Sequence, residues 1–218
     1  MTIIEGFALK NAKLTRLNNL KAQTLKEYSD LDANIWVDIV GFNQADKVEE
    51  VCQIFGIHNS IIQDIIHSKK RRPKIEILDN YVFWIFGLYD NKAKKTDLIS
   101  RKVCMVVGKN FILTFRDVMD AKGKASVGHI HSELSKIADP KSDYLAYLMM
   151  TQIVEEYHLS IEQLTTRLEM LEEIVIESPR KVELKEIYFI KRKIIFMQKL
   201  LGPIAEITKL LVSGDIRF

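Results

Sequence analysis

In the last third of the chain Tyr147, Met150, Val154, Tyr157, Ile161, Leu164, Leu168, Leu171 and Val175 follow one another at alternating spacings of three and four residues. Such spacing keeps one apolar stripe of a helix turned toward a partner helix, so it predicts a heptad seam. Pro179 cannot continue a helix, and a second series follows it: Ile187, Ile190, Ile194, Met197, Leu201, Ile204, Thr208 and Leu211. The break at Ser178-Pro179-Arg180 is short, and a short connection returns the chain alongside itself. The two series therefore predict a long antiparallel helical hairpin. Residues 143–177 carry eight acidic residues and one basic, whereas residues 180–211 carry eight basic and three acidic. Exposed ion pairs contribute only about 0.2–1 kcal/mol each, so charge is expected to choose the partner while burial of the seam stabilises it. A first helix of about 34 residues spans about 50 Å. That is longer than a compact body needs, and a projecting element of this kind is expected to touch something outside the domain.

The preceding 140 residues read differently. Residues 1–34 give weak signals, with short strands expected around 3–8 and 14–17 and no function assigned to them. Ile35-Trp36-Val37-Asp38-Ile39 is β-branched and aromatic and is closed by Gly41, as a strand is. A helix should follow, burying Val48, Val51, Cys52 and Phe55 and stopping at Gly56. Asn59 is the expected N-cap of a short helix whose inner face is Ile61, Ile62, Ile65 and Ile66. Pro73 then opens a strand-rich section with strands at 74–78, 81–89, 101–107 and 111–115, the last two joined by a Gly108-Lys109-Asn110 hairpin. The expected class is α/β: a mixed β-sheet flanked by helices in an α/β/α arrangement, followed by the helical hairpin. The expected division is a body at 1–140 and a hairpin at 141–218.

Composition removes several functions. With 32 basic and 29 acidic residues the net charge is only +3, too little to argue for a nucleic acid. The run Lys69-Lys70-Arg71-Arg72-Pro73-Lys74 is short and carries no interleaved aromatics, so it reads as a solvated or intersubunit turn. Cys52 and Cys104 lie inside apolar runs and read as buried reduced thiols. The first residues lack the basic and apolar regions of a signal peptide. The longest uncharged apolar stretches, 81–89 and 144–154, fall short of the roughly 20 residues of a membrane helix, so the chain as it stands is expected not to cross a bilayer. The motif patterns of a nucleophile elbow and of a zinc protease are absent, and Gly123-Lys124-Ala125-Ser126 lacks the upstream glycine of a phosphate loop. His129 and His131, two apart, would point to different faces of a helix, and His58 and His67 read as turn and surface residues. The expectation is a non-enzymatic chain with no small-molecule substrate.

Taken in order, Trp36-Val37-Asp38-Ile39 with Gly41, Ile62-Gln63-Asp64-Ile65, Arg71-Arg72-Pro73-Lys74 with Glu76, and Tyr89-Asp90 resemble the cytoplasmic domain of the CorA-type magnesium transporters. That family carries a Trp-Ile-Asp-Ile-x-Gly strand, a segment ending Leu-Glu-Asp-Ile, and a Gln-Arg-Pro-Lys-x-Glu turn into a strand that ends near Tyr-Asp. Here the counterparts are Trp36-Val37-Asp38-Ile39 with Gly41, then Ile62-Gln63-Asp64-Ile65, then Arg71-Arg72-Pro73-Lys74 with Glu76, and Tyr89-Asp90. Phe55-Gly56-Ile57-His58, Gly108-Lys109-Asn110-Phe111, Asp143-Tyr144-Leu145 and Pro203 also have counterparts, so the resemblance runs from about residue 35 to about residue 211.

The resemblance implies the regulatory, metal-sensing domain of a magnesium/cobalt channel, read as a fragment whose stalk and membrane helices follow in the parent protein. It implies Mg2+, or Co2+, as regulatory and transported ion, a homopentamer of identical subunits in the complete protein, membrane attachment through C-terminal helices, and a place at the cytoplasmic face of the cell membrane. It implies one metal residue in this chain, Asp64, facing an acidic residue of a neighbouring subunit across the ion. Gln63 replaces the family's glutamate, and Thr151 stands where a helix aspartate often helps form a second site, so only the first site is expected. The alternative for Asp64 is a helix N-terminal or surface carboxylate without an ion. The alternatives for the whole chain are a zinc transporter of the same superfamily and a soluble coiled-coil adaptor.

Overall fold

The computed structural model describes residues 2–10, 13–17, 25, 34–41, 44–67, 73–89, 100–116, 130, 132–133, 142–177 and 184–213. Seven strands form one sheet: β1 (Ile3–Lys10), β2 (Lys13–Leu17), β3 (Asn34–Val40), β4 (Lys74–Ile77), β5 (Tyr81–Tyr89), β6 (Ser100–Gly108) and β7 (Phe111–Arg116). The spatial order is β2-β1-β3-β7-β6-β5-β4. β3 and β7 run parallel while every other neighbouring pair is antiparallel, so the sheet is mixed, as expected. The weakly patterned N-terminus is part of this sheet, because β1 pairs with β3 from Ile3↔Val40 to Leu9↔Asn34.

Alternation along the strands separates two cores. Trp36, Val82, Trp84, Phe86, Met105 and Ile112 face the helices α3 (Ser142–Glu177) and α4 (Leu184–Ser213) and share a cluster with Leu145, Met149, Ile153, Tyr157, Met197 and Ile204. Val37, Ile39, Phe83, Ile85, Val106 and Phe115 face the other way, toward α1 (Ala45–Ile54) and α2 (Asn59–His67), with Val48, Cys52, Ile61 and Ile65 opposite them. Covering both faces explains why β5 reads as an unbroken apolar run instead of an alternating one. Each of Phe83, Trp84 and Phe86 is at most 1% exposed, and full burial of a side chain of this size is worth about 1.5–3 kcal/mol.

Local chemistry fixes the ends of these elements. Gly56 adopts φ 65°; its N–H donates to the Gln53 carbonyl (3.1 Å) and that of Ile57 to the Cys52 carbonyl (3.0 Å), the paired bonds that close a helix on a left-handed glycine. At Gly108 a Cβ would lie 2.3 Å from the Phe111 ring, so the β6–β7 turn needs a residue without one. The cap of α2 differs from expectation. Asn59 is already helical, and His58 does the capping: its carbonyl accepts from Ile61 (3.0 Å) and Ile62 (3.1 Å), and its Nδ1 accepts from the Ser60 N–H (3.3 Å).

The sheet centre holds a buried polar network. Asp38, 1% exposed, accepts from the Thr114 hydroxyl (2.6 Å) and from Arg116 Nε (3.1 Å), with Arg116 Nη2 on its other oxygen, while Trp36 Nε1 donates to Thr114 (3.1 Å). Both carboxylate oxygens are thus satisfied, which a buried charge requires.

The helical hairpin departs from its expected seam. Of the predicted α3 positions Tyr157, Leu164 and Leu171 are buried, but Tyr147 is 60% exposed, Val154 51% and Val175 42%, and Ile161 and Leu168 are also exposed. The buried stripe of the first half is instead Leu145, Leu148, Met149 and Ile153, and on α4 Ile190, Met197, Leu200 and Ile204 are buried while Ile187 and Ile194 are exposed. The reason is that the sheet, and not the other helix, is the partner of the N-terminal half of α3, which rotates the buried face. An ion pair that crosses the hairpin, Arg167 to Glu186 (Nε···Oε1 2.8 Å), joins the minority charge of each helix and so runs opposite to the bulk acid-to-base bias.

Candidate functional site around Asp64

α2 has nine residues, and spacing places Ile61, Ile62 and Ile65 against the sheet. Asp64 sits in its sixth position and is only 6% exposed, so it is neither a helix-N-terminal residue nor a surface carboxylate. Its Oδ2 accepts a hydrogen bond from Lys74 Nζ. The same ammonium also donates to Glu76 Oε1. Lys74 and Glu76 are two apart on β4 and so project from one side of it, which aims both side chains at the Asp64 end of α2. Burial is graded across the three: the Asp64 side chain is 8% exposed, Lys74 29% and Glu76 41%.

A second lysine approaches from beneath. Lys102 on β6 is 7% exposed, and its Nζ donates to the Ile65 carbonyl and lies 3.4 Å from that of Asp64. Carbonyls of a last helical turn lack partners within the helix, and a cation there also meets the negative end of the helix dipole. The backbone that carries Asp64 is therefore held by Lys102 while its carboxylate is held by Lys74. Burial draws the Lys74 ammonium down, but its bonds to Asp64 and Glu76 and their charges outweigh this and leave it above the ordinary lysine value, so it is a cation at neutral pH. Phe83 offers its ring face 5.8 Å from Nζ.

The arrangement is two carboxylates converging on one positive nitrogen. Two carboxylates about 4 Å apart repel by roughly 4 kcal/mol at an effective dielectric near 20, and a cation between them removes that cost. Carboxylate oxygens are the hard donors that Mg2+ prefers, usually one or two of them with water completing the shell. The donor types are those a hard divalent ion uses, and in this structure the Lys74 ammonium occupies the position between them. Among the described residues no three His, Cys, Asp or Glu side chains converge, so a cation at Asp64 would draw on water or on another chain for further ligands.

Gln63 is exposed beside Asp64, and Thr151 is exposed on α3 with its hydroxyl donating to the Tyr147 carbonyl (3.0 Å). His58 and His67 are exposed at the two ends of α2, as expected. Residues 69–72, 123–126, His129, His131 and Pro179 lie outside the described residues. Sequence reasoning named Asp64 but gave no role to Lys74, Glu76 or Lys102. The available signal was the Lys-x-Glu alternation directly after Pro73, which places opposite charges on one face of a strand, and Lys102 at the threshold of the apolar Val103–Val107 run of β6.

The layered sheet and the α3–α4 pair define the class to which this geometry belongs. The profile of the CorA-like Mg2+ transporter protein family matches residues 32–217, and the chain belongs to that family. It is 26% identical over 185 residues to the cobalt/magnesium transport protein CorA of Thermotoga maritima, covering 85% of this chain and 52% of that protein. The fold matches the soluble domain of CorA from Methanocaldococcus jannaschii with a TM-score of 0.70 at 17% identity, covering 96% of this chain and 78% of that one. It also matches the ZntB cytoplasmic domain from Vibrio parahaemolyticus with a TM-score of 0.64 at 15% identity, covering 98% and 82%. The chain spans about half the length of the curated relatives it matches. Among the described residues no helix is long and apolar enough to cross a membrane.

Proposed function

We propose that this chain is the non-enzymatic regulatory domain of a CorA-type magnesium/cobalt channel, at the cytoplasmic face of the cell membrane, and that it gates transport by binding a divalent cation between identical subunits. In this reading residues 1–140 form the sensing body, residues 141–218 the hairpin leading toward the membrane part, and the complete protein is a homopentamer. The regulatory ion is Mg2+, or Co2+, held by Asp64 on one subunit and an acidic group on the next; neither a nucleic acid nor an organic substrate takes part. The observation that carries the reading is the Asp64 carboxylate itself, nearly buried, fixed on a pinned helix and already engaged with a cation.

The residues of this chain contribute position and charge. Lys102 fixes the α2 backbone, α2 aims the carboxylate, and Glu76 adds a second negative group nearby. A divalent ion bound there supplies neutralisation of facing carboxylates. Because Mg2+ dehydrates reluctantly and only one or two carboxylates are offered, affinity is expected in the millimolar range suited to sensing. Ion loss then loosens the subunit contact and favours the open channel, and by linkage opening weakens the ion. In the full-length parent protein Asp64→Ala and Asp64→Asn are expected to raise the Mg2+ concentration that closes the channel, read as the dose response of uptake; an unchanged dose response removes Asp64 from gating.

A second reading, a zinc transporter of the same superfamily, is favoured by the likeness to the ZntB cytoplasmic domain. Uptake of Zn2+ in preference to Mg2+ by the parent protein would select it.

A further inference from the structure

We propose that Lys74 is a built-in competitor for the divalent cation at Asp64: its ammonium holds the carboxylate when no ion is present and must leave when one enters. The inference rests on the reading of Asp64 as a metal ligand given above.

Three observations carry it. Lys74 Nζ donates to Asp64 and Glu76 at once, so the position between the two carboxylates is taken by a positive nitrogen. The Asp64 side chain is 8% exposed, which leaves too little open surface for the ammonium and a partly hydrated ion to share it. Lys74 is anchored differently from its neighbour. It lies on β4, one of the two edge strands of the described sheet, with 29% of its side chain exposed and a flexible four-carbon stem, so it can swing to solvent without moving the backbone. Lys102, by contrast, is buried with its charge on backbone carbonyls and stays in place.

Exchange of this kind sets selectivity by valence. A monovalent ion that displaces Lys74 replaces one positive charge by another and gains little, whereas a divalent ion doubles the attraction to the same carboxylates. It also lowers the affinity, since each binding event must first break two charge-assisted hydrogen bonds.

The test is titration of the full-length parent protein, purified in detergent, with Mn2+, following the unbound ion by electron paramagnetic resonance with Mg2+ as competitor and counting only the binding that Asp64→Asn removes. Wild type, Lys74→Met, Lys74→Gln, Asp64→Asn and the double variant Asp64→Asn/Lys74→Met are compared, each checked for a cooperative thermal transition by circular dichroism. Lys74→Gln serves if Lys74→Met does not fold. The expected result is an Asp64-dependent site that binds Mn2+ about tenfold or more tightly once Lys74 is neutralised, releases it to Mg2+, and is insensitive to Na+. Asp64-dependent binding that is equal or weaker in both Lys74 variants overturns the competitor role and leaves the metal reading standing. Titrations in which Asp64→Asn removes no Mn2+ binding in either background overturn the metal reading and this inference with it.

Discussion

The Tyr157 hydroxyl on α3 donates a hydrogen bond to the Gly87 carbonyl on β5, tying the middle of a 36-residue helix to the sheet. Tyr157 is 2% exposed, and burial holds its phenol above the ordinary tyrosine value.

Tyr157→Phe removes the donor and keeps the ring. A buried carbonyl that loses its partner costs about 1–3 kcal/mol, so the midpoint of urea unfolding is expected to fall by a corresponding amount with an unchanged slope. The pH dependence has a definite sign. A phenol whose folded value lies above its unfolded value favours folding while it is protonated. That contribution is complete below about pH 10, the ordinary tyrosine value, and shrinks as pH rises above it. The variant is expected to lose this part of the alkaline decline.

Asp38→Asn tests the network at the sheet centre. The amide preserves shape but removes the charge that faces Arg116, and breaking a buried ion pair from one side costs about 3–5 kcal/mol. The Arg116 side chain is 17% exposed and so retains some water, which places the expected loss toward the lower end of that range. Unfolding free energy by denaturant is the measurement, and a loss below about 1 kcal/mol would show that the network contributes no more than an ordinary hydrogen bond.

Cys52 supplies a second pH-linked test. Burial, followed by the neighbouring Cys104 and Glu49, pushes its thiol up from 9.0 to about 12. The folded value exceeds the unfolded one, so the contribution to stability is fully present below about pH 9 and is lost as pH rises toward 12. Since the thiolate is the nucleophile, both buried cysteines should resist Ellman's reagent at pH 8 in the folded chain and react once it is denatured. Prompt reaction of Cys52 in the native state would contradict the packing of α1 on the sheet.

The strands and the short helices were legible because their apolar spacing is local. β3, β5, β6 and β7 fall within a residue or so of the segments expected from β-branched and aromatic runs, and α1 stops at Gly56 where the sequence places a stop. The orientation of α3 was not legible, because a helix with apolar residues on more than half its circumference does not declare which stripe meets the sheet. Tyr147 and Val154 fit a seam in sequence, but Leu148 and Met149 are the residues that meet Trp84 and Phe86 in one core. At the candidate site Asp64 was found through its place in a motif. Its cation was not, since Lys74 stands on a different element, 10 residues on, and only the folded chain brings the two charges together.

The parallel pairing of β3 with β7 has a consequence for how the chain is made. Trp36 and Thr114, bonded across that pair, are 78 residues apart, and all of β4, β5 and β6 is synthesised between them. Ribosomal emergence of β1, β2 and β3 therefore yields a three-stranded ribbon with an open flank, and the sheet's middle closes only when β7 arrives. Long-range pairings of this sort slow folding and lengthen exposure of unpaired edges, so β3 is where a nascent chain has most need of a chaperone.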